Sequence, residues 1–274
     1  MRAYIDESFR RPVRAHLLAN LLSDVPTYPL ILGVFGPPGE GKTFQVERIC
    51  EELGLRQHLL SPGELESENA GAPGQLLRRE YLAAGETTED GRRGILVIHD
   101  IDTILGNWGS LVQYTVNRQV VYAQLMAFCD FPTTVAGNPA ARVPIVVTGN
   151  NPSILYGPLL RPGRMRTIRW QPTGSMRARI VSYMFPGVDP REVAELVAVY
   201  RDRPVSFWAD VHALIIENRV MDAIDSIGPP RIKAVLSNGS RIRVPSEVRS
   251  IDDLANAAKH LAQADIRSVD YLEK

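Results

Sequence analysis

Gly36-Pro37-Pro38-Gly39-Glu40-Gly41-Lys42-Thr43 fits the phosphate-cradle pattern G-x-x-x-x-G-K-[ST] at every defined position. Its flanks fit too: the apolar run Leu30–Phe35 reads as a buried strand and Phe44–Leu53 as the helix that follows. Glycines let the backbone wrap an anion without a Cβ clash, so successive N–H groups and the helix N-terminus point at a phosphate. Lys42 is placed to reach the β- and γ-phosphates, and the Thr43 hydroxyl to ligand Mg²⁺. An ordinary Gly/Pro turn would share the composition but not the strand and helix around it. The stretch therefore implies binding of a nucleoside triphosphate with Mg²⁺ by Gly36, Pro37, Pro38, Gly39, Glu40, Gly41, Lys42, Thr43 and Phe44.

Working outward, the apolar run Ile95-Leu96-Val97-Ile98 ends in His99-Asp100-Ile101-Asp102. An acid at such a strand tip holds the metal's water shell or orients the attacking water, so Asp100 is a candidate for catalysis and for the metal. Asp102 has a structural reading as well, as a cap on the next helix. Asn150, in Thr148-Gly149-Asn150-Asn151 after a fourth strand, has an amide suited to hold the attacking water or the γ-phosphate; Asn in turns is also plain turn chemistry. Arg161-Pro162-Gly163-Arg164 sets two guanidinium forks on a rigid segment, suited to reach a neighbouring subunit's γ-phosphate. Standing alone, that segment would read as two surface arginines in a turn.

The expected strands are Leu30–Phe35, Gln57–Leu60, Ile95–Ile98, Val143–Thr148 and Ile168–Trp170, alternating with helices over Phe44–Leu53, Leu76–Ala84 and Val112–Phe128. Another helix, with Val13, Leu17, Leu18 and Leu21 on one face, precedes them. Such alternation predicts an α/β fold with a parallel sheet sandwiched by helices. The pattern changes near Gln171-Pro172-Thr173-Gly174. Val193, Leu196, Val197 and Tyr200 then follow helical spacing, predicting a nucleotide-binding subdomain over 1–172 and a smaller helical lid over 173–274. Ser237-Asn238-Gly239-Ser240, between Ile232–Leu236 and Arg241–Val244, predicts a C-terminal hairpin before a last helix over Ile251–Ala262.

The 274 residues carry 31 basic and 31 acidic side chains, so no global attraction to nucleic acid or an anionic membrane follows. No apolar stretch approaches the roughly 18–20 residues of a membrane span. Cys50 and Cys129 have no metal-ligand spacing and suit a reducing, cytoplasmic setting. The first residues, MRAYIDESFRR, lack the apolar core of a signal peptide.

With these elements in order the chain resembles the AAA+ ATPases, P-loop NTPases with a helical lid. Within them it is similar to the green-type Rubisco activases. The resemblance rests on Gly63-Glu64-Leu65-Glu66-Ser67 with Asn69-Ala70-Gly71, on Gln113–Asn117, on Arg142–Asn150, and on Leu155-Tyr156-x-Pro158-Leu159 leading into Gly163-Arg164-Met165. It is dense from about Leu30 to Trp170 and stays collinear through the lid, where Phe207-Trp208 stands at the family's Phe-Phe.

The resemblance implies a homo-oligomeric ring, a hexamer, that uses ATP hydrolysis to act on Rubisco blocked by a tightly bound sugar phosphate. It implies Lys42 and Thr43 at ATP and Mg²⁺, Asp100 in hydrolysis, Asn150 as the sensor on the fourth strand, and Arg161 and Arg164 serving the adjacent subunit. Loops around Glu64–Gly71 and Asn107–Tyr114, Trp108 among them, would face the pore. Other readings keep the motor with a different protein client, or an ATP-binding scaffold that does not hydrolyse.

The chain departs from the family in three ways. His99 stands where activases have Asn. His212 and Leu214 stand where the lid's nucleotide-sensing arginines would align, so that role is either unfilled or moved to Arg203 or Arg219. No long C-terminal extension is seen, so control through a tail disulfide is not expected.

Overall fold

Every residue of β1 (Ile31–Phe35), β3 (Gly94–Ile98) and β6 (Ile145–Gly149) is buried in the computed structural model, the signature of parallel strands covered on both faces. The structure describes residues 4–23, 27–65, 71–105, 112–239, 241 and 243–272. Two units are distinguished by their internal contacts, Ile5–Gln171 and Pro172–Lys274, Tyr4 falling with the second.

The first unit opens with α1 (Glu7–Leu22), capped by Asp6, whose carboxylate accepts from Ser8 N–H at 3.0 Å. After β1 come α2 (Lys42–Glu52), β2 (Arg56–Leu60), the one-turn α3 (Pro62–Leu65), α4 (Ala72–Gly85), β3, α5 (Ile101–Leu105) and α6 (Val112–Asp130). A small antiparallel pair, β4 (Thr134–Val135) and β5 (Asn138–Pro139), turns at Ala136 and Gly137, both at positive φ. Then follow β6 and β7 (Met165–Arg169). The five long strands form one parallel sheet in the order β2-β3-β6-β1-β7. Parallel pairing brings the carboxyl ends of β1, β3 and β6 to one edge, where ligands of open α/β sheets bind.

Sequence spacing located the five strands to within a few residues. The last differs most: it runs Met165–Arg169, and Trp170, just beyond it, still donates its N–H to Phe35 O at 2.6 Å. One helix face of α1 enters the core through Phe9, Val13 and Leu17. His16, fully buried on that face, bonds Ile145 O through Nε2 at 3.1 Å, and Asn20 donates to Pro29 O at 3.1 Å. Two polar side chains thus fasten α1 to the entry of the sheet.

The second unit is helical: α7 (Gly174–Met184), α8 (Pro190–Val199), α9 (Val205–Ile227), α10 (Pro229–Ser237) and α11 (Ile251–Leu272). Its core gathers around the fully buried Trp208, with Phe185, Val193, Val197, Val211 and Leu254. The expected C-terminal hairpin does not form. Ile232, three residues before Val235, lies with it in α10, and Gly239 takes its positive φ of 64° in the turn after that helix. Asn-Gly here ends a helix, a use of the left-handed conformation as common as the hairpin. The later segment has no strand among its described residues. Its carbonyls bond side chains of α9 instead: Pro245 O and Glu247 O accept from Arg219 at 3.0 and 2.9 Å, and Ser246 O lies 3.2 Å from His212 Nε2.

Candidate functional site

The loop after β1 is anchored before it meets any ligand. Gly36 N–H donates to Gly149 O at 3.3 Å, and a Cβ on Gly36 would overlap the Trp170 carbonyl oxygen. The Trp170 indole donates to Glu40 O at 2.8 Å. Gly39 and Gly41 hold φ of 74° and 71°, a region open to glycine at little cost. Gly41 N-caps α2, and the first intrahelical bond is Gln45 N–H to Gly41 O, 3.0 Å. The amides of Lys42, Thr43 and Phe44 therefore have no acceptor within the helix, which leaves donors at its positive end.

Lys42 is buried, 7% exposed, and its ammonium donates to Gly36 O at 2.9 Å, Pro37 O at 2.8 Å and Asn150 Oδ1 at 3.0 Å. Burial pulls its pKa below the usual lysine value, while the charges of Asp100, Asp102 and Glu40 push it back up. All three ammonium donors are thus taken up within the site, so an anion entering it would have to draw one of them away from its present acceptor.

The tips of β3 and β6 close on the same spot. The Thr148 hydroxyl, at the end of β6, lies 3.3 Å from Thr43 Oγ1 and accepts the Asp100 N–H at 3.3 Å. Asp100 itself sits at φ 45°, in the left-handed region that Asp tolerates better than most residues. That step turns the chain from β3 into α5 and leaves the carboxylate exposed. The structure thus brings Gly36, Pro37, Lys42, Thr43, Asp100 and Asn150 into one bonded set. Pro38 and Gly39 are exposed on the loop, Glu40 is buried, and Phe44 is partly exposed with the Arg48 guanidinium 5.2 Å from its ring.

His99 faces away from this set. Its Nε2 is 3.5 Å from Glu47 Oε1 on α2, and burial lowers its pKa against the opposing pull of Glu47 and Asp100. Burial thus disfavours the charged form of the ring at this strand tip.

The two arginines are not equivalent. In Arg161-Pro162-Gly163-Arg164, Arg164 N–H bonds Arg161 O at 3.1 Å and Gly163 has φ 94°, the geometry of a turn with Pro and Gly at its centre. Arg164 is committed within its own chain. Its Nε and Nη2 bond Asp130 Oδ1 and Oδ2 at 3.0 and 2.8 Å, and Nη1 donates to Pro158 O at 3.1 Å. Donating to the Asp130 carboxylate raises its pKa further. Arg161 is exposed and has no side-chain partner among the described residues.

In the helical second unit, Arg203 and Arg219, the candidates for sensing nucleotide, are occupied as well. Arg219 clips the 245–247 carbonyls and pairs with Asp253 at 3.3 Å, while Arg203 lies 5.3 Å over the Phe207 ring. The pore-facing loops expected around Glu64–Gly71 and Asn107–Tyr114, with Trp108, lie largely outside the described residues. Three contributors escaped the sequence: Thr148, Trp170 and Asp102. Asp102 does not cap a helix; its Oδ2 accepts the Asn150 and Asn151 N–H groups at 2.7 and 3.0 Å.

The model of the ATPase family associated with various cellular activities (AAA) matches residues 32–173, which run from β1 through this whole bonded set. The chain belongs to the AAA family. Among curated relatives it is 37% identical over 263 residues to a ribulose bisphosphate carboxylase/oxygenase activase of Nostoc sp., covering 92% of this chain and 63% of that protein. It is 37% identical over 247 residues to the chloroplastic activase of Zea mays, covering 86% of this chain and 56% of the relative. For the Chlamydomonas reinhardtii chloroplastic activase the figures are 36% over 269 residues, 94% and 66%. The chain thus spans about three fifths of the length of these relatives. No described helix of this AAA protein is long and apolar enough to cross a membrane.

Proposed function

We propose that this AAA protein hydrolyses ATP and uses the cycle to remodel Rubisco blocked by a bound sugar phosphate. The observation that carries the hydrolytic part is the Lys42–Asn150 bond at 3.0 Å, which joins the phosphate loop to the sensor strand while the Thr43–Thr148–Asp100 contacts join it to the acid. Likeness to activases across 92% of the chain supports the client.

In this reading residues 1–172 bind nucleotide and 173–274 form the lid. Gly36–Phe44 cradle the phosphates, and their free amides and the Lys42 ammonium take up negative charge. Thr43 and Asp100 hold Mg²⁺, whose donors here are the hard oxygens that ion prefers. When bound, Mg²⁺ neutralises charge on the β- and γ-phosphate oxygens. Asp100 and Asn150 orient the attacking water. Arg161 reaches the γ-phosphate of the next subunit in a cytoplasmic hexameric ring, and Arg164 braces the turn that presents it.

ATP turnover and carboxylation recovery, measured together with sugar-phosphate-inhibited Rubisco from the same organism, test the reading. Recovery that needs ATP and is lost in Lys42→Ala is the expected result. Turnover without recovery would move the search to another protein client. No turnover at any protein concentration would leave a nucleotide-gated scaffold, a reading that His99 at the acid-bearing strand tip favours.

A further inference from the structure

Asp102 is a buried carboxylate, 5% exposed, in a protein whose other strand-tip acid, Asp100, faces solvent. It lies within the five-residue α5, yet both hydrogen bonds to its side chain come from the far end of β6, from Asn150 N–H at 2.7 Å and Asn151 N–H at 3.0 Å. One carboxylate oxygen therefore fixes two consecutive peptides at the point where the sensor strand ends. Bonds to an ionised acceptor are roughly twice as strong as neutral ones, so this is a firm grip.

The neighbouring geometry fixes the backbone from which the Asn150 side chain projects. Upstream, β6 is held in register against β1 through Gly149. Downstream, the Asn151 side chain caps the next turn, accepting from Ser153 N–H at 2.9 Å and Ser153 Oγ at 2.7 Å. With the backbone fixed on both sides, the Asn150 carboxamide meets Lys42 Nζ at 3.0 Å. Residue 149 is glycine for a matching reason: a Cβ there would come within 2.8 Å of Asp102 Oδ1 and 3.0 Å of the Phe35 ring.

The other carboxylate oxygen is costly. Asp102 Oδ1 is buried and has no hydrogen-bond partner, a state that destabilises a fold. A neutral acceptor would tie down two amides without enclosing that oxygen. The acid also places negative charge near enough to Lys42 to oppose the effect of burial on the ammonium.

We propose that Asp102 is the positioning residue of the nucleotide site: it sets the Asn150 carboxamide against Lys42, so that β6 distinguishes a γ-phosphate from its absence. The inference rests on the ATPase reading above and adds a residue to it. Asp102 touches no nucleotide and works through Asn150.

The test compares wild type, Asp102→Ala, Asp102→Asn, Asn150→Ala and the Asp102→Ala/Asn150→Ala double variant. The readouts are affinity for ADP, affinity for a non-hydrolysable ATP analogue, kcat and KM for ATP, and the melting transition. In Asp102→Ala, kcat is expected to fall at least about tenfold with ADP affinity changed less than about threefold, the split left when only γ-phosphate contacts are lost. Its preference for the analogue over ADP should drop to the value of Asn150→Ala. The double variant should lose no more than Asn150→Ala alone, as for two residues acting as one unit. Asp102→Asn, which retains an acceptor, should recover part of kcat.

A folded Asp102→Ala with wild-type analogue preference overturns the proposal, as do losses that multiply in the double variant. If Asp102→Ala does not fold, Asp102→Asn decides: an intermediate preference supports the role and a wild-type preference overturns it. A wild type that binds both nucleotides without turnover refutes the hydrolytic reading and leaves Asp102 to be judged on the affinity ratio. A wild type that binds neither refutes both.

Discussion

Arg161→Ala and Arg164→Ala are expected to fail differently, because one side chain is free and the other is built into its own subunit. Arg161 is exposed and has no side-chain partner among the described residues, so its variant should keep the wild-type melting temperature and nucleotide affinity. If the exposed guanidinium serves a neighbour's γ-phosphate, turnover should fall by about 10³–10⁵, the scale of an arginine finger. Arg164→Ala removes three hydrogen bonds, two to Asp130 and one to Pro158 O. The pair with Asp130 is reached by solvent, with 25% and 41% of the two side chains exposed, so the melting temperature should fall only modestly. Its turnover loss comes through the loosened turn, and Arg164→Lys should restore less than its charge suggests, since an ammonium cannot reproduce the bidentate fork. The decisive assay mixes subunits. Arg161→Ala retains an intact phosphate loop, and Lys42→Ala retains an intact arginine, so mixed rings should turn ATP over although neither protein does alone. Undiminished turnover in Arg161→Ala, or no recovery on mixing, would refute the assignment of a shared site.

Two further outcomes follow from buried contacts. Burial lowers the His16 pKa from 6.5 to about 3, so the folded state refuses a proton that the unfolded chain accepts below pH 6.5. Stability then falls as pH drops from 6.5 and levels near 3, by about 2 kcal/mol at pH 5 and about 5 kcal/mol in all. Urea midpoints at pH 7.5 and 5.0 check this against His16→Gln, which keeps a donor for Ile145 O; equal pH slopes in the two proteins would contradict it. Gly36→Ala, whose Cβ meets the Trp170 backbone, should cost about 3 kcal/mol or more and abolish nucleotide binding, whereas Gly157→Ala, with nothing within 4 Å, should change neither. Thermal melts with a fluorescent ATP analogue distinguish the two.

The sheet was legible because parallel strands buried on both faces leave an unbroken apolar run, as in Ile31–Phe35 and Gly94–Ile98. The phosphate loop was legible because its chemistry dictates residue types at fixed spacing. The hairpin was misread because Asn238-Gly239 reports only that the chain adopts positive φ, which suits a helix end as well as a two-residue turn. The first expected strand, Ile232–Leu236, instead lies inside α10, and Arg219, 26 and 28 residues away, takes the 245 and 247 carbonyls just beyond the second.

The site divides along the same line. Residues that meet the nucleotide are announced by motif, but those that orient them are not, since their partners lie far along the chain. Asp102 reads as a helix cap until Asn150 and Asn151 close on it across 48 and 49 residues. Arg161 and Arg164 read alike until Asp130, 34 residues before Arg164, claims one of them. In both cases the deciding fact is a hydrogen bond made by the fold, and it reassigns a role without changing the motif. The same logic applies to His99. A protonated imidazole beside Asp100 would oppose a cation there; burial lowers the ring's pKa, while the charges of Glu47 and Asp100 pull it back up. The departure from the family's Asn at this position is therefore eased by burial, which disfavours the charged ring and brings the imidazole nearer to the uncharged carboxamide it replaces.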